Sequence, residues 1–171
     1  MKERNAAKAF LICGSTGAGK STLSAALAKE QNAQVFSIDE WMQRLYWKDA
    51  PAENVFPWAM ERVLRCEDLI YLLATRLLDS GVNVIFDLAF SRKERRELYF
   101  SRLADAGYEF DFIFLDIPAA QRLERVRERN AKRTGTFQFE VNDQMFHWME
   151  TQFEPPTDEE ILRVGGVVRK A

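Results

Sequence analysis

A doubly wound α/β domain is the fold class this 171-residue sequence predicts, and three observations carry that reading. Short β-prone runs at 9–13, 34–38, 82–87, 110–115 and 161–164 alternate with longer helix-periodic stretches, the order that yields a parallel sheet covered on both faces. A run such as Val82-Asn83-Val84-Ile85-Phe86 is mostly apolar rather than alternating, as expected of a strand buried on both sides. The first run, Ala9-Phe10-Leu11-Ile12-Cys13, passes straight into Gly14-Ser15-Thr16-Gly17-Ala18-Gly19-Lys20-Ser21, which matches G-x-x-x-x-G-K-[ST] in the strand-loop-helix context the motif requires.

Each part of that loop has a physical task. The glycines allow positive φ and bring successive N–H groups against a polyphosphate, and the helix that follows adds free donors and the positive end of its dipole. The expected nucleotide cradle is therefore Gly14, Ser15, Thr16, Gly17, Ala18, Gly19, Lys20, Ser21 and Thr22. Lys20 is expected to reach the β- and γ-phosphates of ATP, and Ser21 to place its hydroxyl on Mg²⁺.

Composition excludes several classes. With 47% apolar and 29% charged residues the chain reads as one soluble globular domain over 1–171, and a net charge of −2 gives no general attraction to nucleic acid or to an anionic membrane. The apolar run at the start is too short for a signal peptide or a membrane span, so a cytoplasmic location is expected. Cys13 and Cys66 read as isolated core thiols, and with His147 the only histidine no multi-histidine metal site can form.

Beyond the loop, a helix fades at Gln31-Asn32, and the strand 34–38 ends in Asp39-Glu40, two carboxylates at the edge where open α/β sheets place their chemistry. An aromatic helical stretch from Glu40 to Trp47, a loop from Lys48 to Pro57 and a long core helix running to Gly81 follow. The strand 82–87 ends in Asp87, a carboxylate of the Walker-B type and the second expected Mg²⁺ ligand, although the residues alone also support the reverse assignment, with Asp87 as base and Asp39 toward the metal. Ser91-Arg92-Lys93-Glu94 has capping-box spacing and opens a helix whose Arg92, Lys93, Arg95 and Arg96 read as a solvated face, with Arg92 as the candidate for substrate contact. After the strand 110–115, a basic helix from Ala119 to Asn130 carries Arg122, Arg125, Arg127 and Arg129, and its charge continues to Arg133. Thr134-Gly135-Thr136 interrupts the pattern, and 137–141 reads as a short extended piece. Asn142 is expected to cap another helix, Phe153-Glu154-Pro155-Pro156 to form a rigid loop, and 161–164 to be the last strand, ended by Gly165-Gly166.

Ser37-Ile38-Asp39-Glu40-Trp41, Asp87-Leu88-Ala89-Phe90, Arg129-Asn130 and Phe153-Glu154-Pro155-Pro156, together with the phosphate loop, resemble the small P-loop kinases. That group includes zeta-toxin-like kinases, chloramphenicol phosphotransferase, gluconate kinase and the kinase domain of polynucleotide kinase. The likeness spans most of the chain, and it is nearest to bacterial kinase-like proteins named only as AAA-type ATP-binding proteins. The resemblance implies a three-layer fold with a five-stranded parallel sheet in the order 2-3-1-4-5. It also implies Asp39 as the base toward an acceptor hydroxyl, Arg125 as a nucleotide contact, Arg129 and Arg133 as arginines gripping the phosphates, and a lid over about 125–139. The insert at about 40–80, with Trp41, would then meet the acceptor.

No Asn/Thr-Lys-x-Asp motif for reading guanine and no Leu-Ser-Gly-Gly signature occurs, so GTPase switch and motor readings lose support. The expected activity is transfer of the γ-phosphoryl of Mg·ATP to a hydroxyl of a small metabolite or antibiotic. A nucleotide or polynucleotide 5′-hydroxyl kinase, and an ATP-binding regulator without an acceptor, are the competing readings.

Overall fold

The computed structural model describes residues 7–133 and 140–170. Strand β1 (Lys8–Cys13) leads through the phosphate loop to α1 (Lys20–Gln31), and β2 (Ala33–Ser37) runs directly into α2 (Ile38–Leu45). A single 3₁₀ turn at Trp47–Asp49 precedes the long α3 (Val55–Asp79), followed by β3 (Asn83–Asp87), α4 (Lys93–Asp105) and β4 (Glu109–Asp116). The chain continues through α5 (Ala119–Lys132), α6 (Asp143–Gln152), α7 (Asp158–Arg163) and β5 (Val167–Lys170).

The five strands form one parallel sheet in the order β2-β3-β1-β4-β5, the P-loop NTPase arrangement the resemblance implies. Alternation along β1 feeds both layers. Ala9, Leu11 and Cys13 face the core built with α3, α4 and α7, while Phe10 and Ile12 face the core built with α1. Register sets the working edge: Ser37 lies opposite Asp87 and Cys13 opposite Phe114, so the phosphate loop, Asp39 and Asp87 all leave the sheet at its carboxyl end.

Three local expectations are corrected. Residues 161–164 are not a strand. Thr157 accepts from Glu160 N at 3.2 Å, three acidic residues fill the first turn and Gly165 closes the helix at φ +62°, so this segment is the helix α7 and the last strand begins only at Val167. Ser91 does not cap α4. The amide of Lys93 instead donates to Glu154 Oε2 at 2.9 Å, a cap supplied from 61 residues away. The basic face of α4 is not all solvated either, because Arg96 is fully buried. Its guanidinium makes a two-oxygen pair with buried Glu160 and donates to Phe90 O at 3.0 Å and Glu154 O at 2.8 Å. The expected cap Asn142 does hold α6, accepting from Met145 N at 2.8 Å.

No helix among the described residues is long and apolar enough to cross a membrane.

Candidate active site

Gly17 and Gly19 take the left-handed conformation, at φ +79° and +98°, and Gly19 is the residue immediately before α1. Gly17 has a second reason to lack a side chain. A Cβ there would stand 2.5 Å from the Arg122 carbonyl oxygen and 2.9 Å from Val126, so α5 crosses the loop in direct contact with it. Lys20 Nζ donates to Ser15 O at 3.3 Å, which holds the ammonium over the loop.

The first half of the loop is fastened to α5 and α6. Arg122, buried on α5, donates to Ile117 O at 2.7 Å, to Thr16 O at 3.1 Å and to both carboxylate oxygens of Glu150 on α6. Ser15 Oγ donates to the same carboxylate, and Thr16 Oγ1 lies 3.1 Å from Met149 Sδ. The Arg122 guanidinium, and after it the Ser15 hydroxyl, hold the Glu150 carboxyl below its ordinary pKa against the opposing effect of burial.

Asp87 lies at the end of β3 and is 5% exposed. Burial raises its carboxyl above its ordinary pKa; Lys20 and the Ser21 and Ser24 hydroxyls act against that rise, and the charge of Asp39 adds to it. The structure thereby brings Lys20, Ser21, Asp39 and Asp87 into one cluster. Asp39 sits in the first turn of α2, because Ser37 ends the strand and accepts from Glu40 N at 3.4 Å. Arg129 reaches this cluster from α5: burial lowers its pKa, the charge of Asp39 opposes that, and its Nε is buried with no hydrogen-bond partner among the described residues. A half-buried guanidinium N–H with no partner among the described residues is a donor suited to an anion.

This arrangement suits Mg²⁺. No three His, Cys, Asp or Glu side chains among the described residues are grouped to hold a metal, so a cation beside Ser21 and Asp87 would complete its shell with water and phosphate oxygens. Mg²⁺ is usually bound in that way.

The remaining expected site residues are more scattered. Arg125 is exposed, with Nη1 3.5 Å from Ala18 O at the loop, and Thr22 is exposed on α1. Arg133 follows α5 at φ +48° and pairs with Glu140 at 3.0 Å, while Thr134-Gly135-Thr136 and residues 137–139 of the expected extended piece lie outside the described residues. Trp41 packs edge-on against Phe36, with ring centroids 6.2 Å apart. Arg92 is exposed and donates to Glu154 Oε1 at 3.0 Å and to Gln152. Sequence reasoning missed Arg122 and Glu150. Arg122 is one of four arginines on a basic helix, and nothing in the local sequence links it to a glutamate 28 residues on.

Comparison with known proteins agrees with the fold. A Chloroflexus aurantiacus protein provisionally named a kinase superposes with a TM-score of 0.72 at 18% identity, covering 97% of this chain and 85% of that one. Chaetomium thermophilum Kti12 in complex with ADP-AlF3 gives 0.68 at 14% identity, covering 95% and 88%. A sugar kinase from Janibacter sp. HTCC2649 gives 0.61 at 19% identity, covering 96% and 85%. Comparison with curated proteins gives no match. The profile of the AAA domain family matches residues 10–156, from within β1 to the Pro155-Pro156 segment, and the chain therefore belongs to that family.

Proposed function

We propose that this chain, acting as one domain with a lid at about 125–139 and an acceptor insert at about 40–80, is an ATP-dependent phosphotransferase that uses a small alcohol as acceptor. The observation that carries the reading is the convergence of Lys20, Ser21, Asp39, Asp87 and Arg129 at one end of the sheet. The names of the neighbouring structures, a kinase, a sugar kinase and an ADP-AlF3 complex, point the same way.

In this reading the loop amides and Lys20 bind the β- and γ-phosphates. Asp39 orients the acceptor hydroxyl and takes its proton, the hydroxyl oxygen forms a bond to the γ-phosphorus, and the bond from that phosphorus to the bridging oxygen breaks to release ADP. The Arg129 guanidinium meets the charge that develops on the transferred group. Ser21 and Asp87 would hold Mg²⁺, which supplies charge neutralisation at the phosphates when bound.

The test is release of ADP from Mg·ATP by the purified chain, with and without pooled alcohols, and identification of the phosphorylated product by mass. Release that depends on an acceptor supports the reading. Slow hydrolysis indifferent to every acceptor would instead favour an ATP-binding regulator.

A further inference from the structure

The backbone that follows Asp87 is strained. Ala89 and Phe90 take positive φ, +65° and +50°, and among the described residues they are the only adjacent non-glycine pair to do so. Asn32, Asn54 and Arg133, the others with positive φ, stand singly at helix ends. Phe90 N donates to Leu88 O at 2.8 Å, which closes a three-residue turn on Ala89, and positive φ at its centre makes this the rare, strained hand of the γ-turn. Neither Ala89 nor Phe90 favours that conformation, because a Cβ crowds the backbone in the left-handed region. Such a turn persists only where its surroundings over-determine it.

Here the surroundings hold it from several sides. Phe90 O accepts from Arg96 Nη1 at 3.0 Å and from Cys13 Sγ at 3.5 Å, so that carbonyl is gripped both from α4 and from the end of β1. The Phe90 ring is buried and meets Tyr99 edge to face, with centroids 5.1 Å apart. Ser91 O accepts from Glu154 N at 2.8 Å, and Arg96 Nη1 donates to Glu154 O at 2.8 Å as well, so one guanidinium nitrogen ties the turn to the segment after α6. Glu160 of α7 takes the rest of the fork, accepting from Arg96 Nε and, at 3.0 Å, from Nη2.

Attraction to Glu160 does not by itself account for a fully buried arginine. Apolar side chains of similar volume often replace a buried ion pair with no loss of stability, because the attraction barely offsets the dehydration of both charges. What they cannot do is donate to two backbone carbonyls from one planar fork. The Glu160 carboxylate sets the plane of the guanidinium, and Nη1 then points at Phe90 O and Glu154 O together. The turn held in this way begins at the residue after Asp87. On its other side Asp87 is fixed by the sheet, where it lies opposite Ser37, and its carboxylate interacts with Lys20, Ser21 and Ser24.

We propose that Arg96, oriented by Glu160, is a positioning residue for Asp87: by holding Phe90 O it fixes the strained turn 88–90, and with it the direction in which the Asp87 carboxylate leaves β3 beside Ser21. The inference rests on the phosphotransferase reading for the use it gives Asp87, as a carboxylate serving the metal–nucleotide complex. Arg96 acts through the turn and Glu160 acts through Arg96.

The test separates metal affinity from stability. The Arg96→Met/Glu160→Met double variant removes both charges and keeps the volume, while Arg96→Lys keeps a charge against Glu160 and loses the fork. For each full chain, saturated with a non-hydrolysable ATP analogue, affinity for Mn²⁺ as a probe for Mg²⁺ is read by electron paramagnetic resonance, stability by urea denaturation, and ADP release separately with Mg·ATP. The double variant is expected to denature at the wild-type midpoint or above it and to bind Mn²⁺ about tenfold or more weakly, the scale on which residues behind a metal ligand act. Arg96→Lys is expected to show the same loss of Mn²⁺ affinity, and it carries the test if the double variant does not fold. Adding Ala89→Gly to either is expected to recover most of the affinity, since glycine takes φ +65° without strain. Wild-type Mn²⁺ affinity in both variants, or no recovery with Ala89→Gly, would overturn the proposal. If the predicted Mn²⁺ shifts occur but the wild type releases no ADP with any acceptor, the positioning of Asp87 stands and the phosphotransferase reading falls; acceptor-dependent ADP release with unshifted Mn²⁺ affinity does the reverse.

Discussion

Arg122 of α5 and Glu150 of α6 meet in a two-oxygen pair, Nη1 to Oε1 at 2.6 Å, and the same carboxylate accepts from Ser15 of the phosphate loop. One junction thus joins the loop to the two helices that flank the expected lid. Glu150→Gln keeps the shape and removes the charge, leaving a buried guanidinium without its counter-ion. The expected loss is about 1–3 kcal/mol of stability at neutral pH, read by urea denaturation, together with weaker ATP binding. The sign with pH follows from the depressed Glu150 pKa. Its contribution is complete above the ordinary value of about 4.5 and is lost as pH falls through the lower folded value, so wild type and variant should converge only in acid. An unchanged denaturation midpoint at pH 7 would remove this junction from the account.

Gly17→Ala and Gly19→Ala are expected to differ. Both force a side chain into the left-handed region, a strain of about 1 kcal/mol each. A methyl at Gly19 meets nothing within 4 Å, whereas one at Gly17 would strike the Arg122 carbonyl at 2.5 Å. Gly17→Ala should therefore lose more stability and more nucleotide affinity than Gly19→Ala, measured by thermal melts with and without Mg·ATP. The opposite ranking would mean that α5 does not bear on the loop.

Lys20→Ala is expected to melt close to the wild type, since among the described residues its ammonium bonds to the Ser15 carbonyl at 3.3 Å and otherwise favours the charge of Asp87, but to lose the stabilisation that Mg·ATP confers. Retention of the full ATP-induced shift in melting temperature would contradict the assignment of the loop. Arg129→Ala, which removes an Nε donor with no partner among the described residues, is expected to lower kcat by roughly 10³-fold with a smaller change in ATP affinity. Equal losses in both would make Arg129 a binding residue only.

The parts of this molecule that are legible in its sequence are those whose signals are local. The phosphate loop, the strands expected at 82–87 and 110–115, and the Asn142 cap each depend on a few consecutive residues, and the structure has them to within a residue. The last strand was misplaced because Ile161-Leu162-Arg163-Val164 has β-prone residues, while Thr157 and Glu160, four residues or fewer upstream, carry the capping-box spacing that makes it helical. Long-range pairings left no such mark. Arg96 reads as one more cation on a charged helix, and only the fold brings Glu160 to it across 64 residues. The same holds for Glu154 as the cap of α4 and for Glu150 beneath the loop.

The two acidic residues at the carboxyl edge decide the central claim. The charge of Asp39 acts on the Arg129 guanidinium, while Asp87 is buried and interacts with Lys20 and Ser21, so their amide variants should fail in different ways. The decisive measurement is acceptor-dependent ADP release by wild type, Asp39→Asn and Asp87→Asn across a Mg²⁺ titration, with Mg·ATP affinity determined in parallel. Asp39→Asn is expected to keep its Mg·ATP affinity and lose about two to four orders of magnitude in acceptor phosphorylation, while Asp87→Asn loses turnover and Mg²⁺ response together. Acceptor phosphorylation by Asp39→Asn at the wild-type rate, or loss of Mg·ATP binding in that variant but not in Asp87→Asn, would contradict the account.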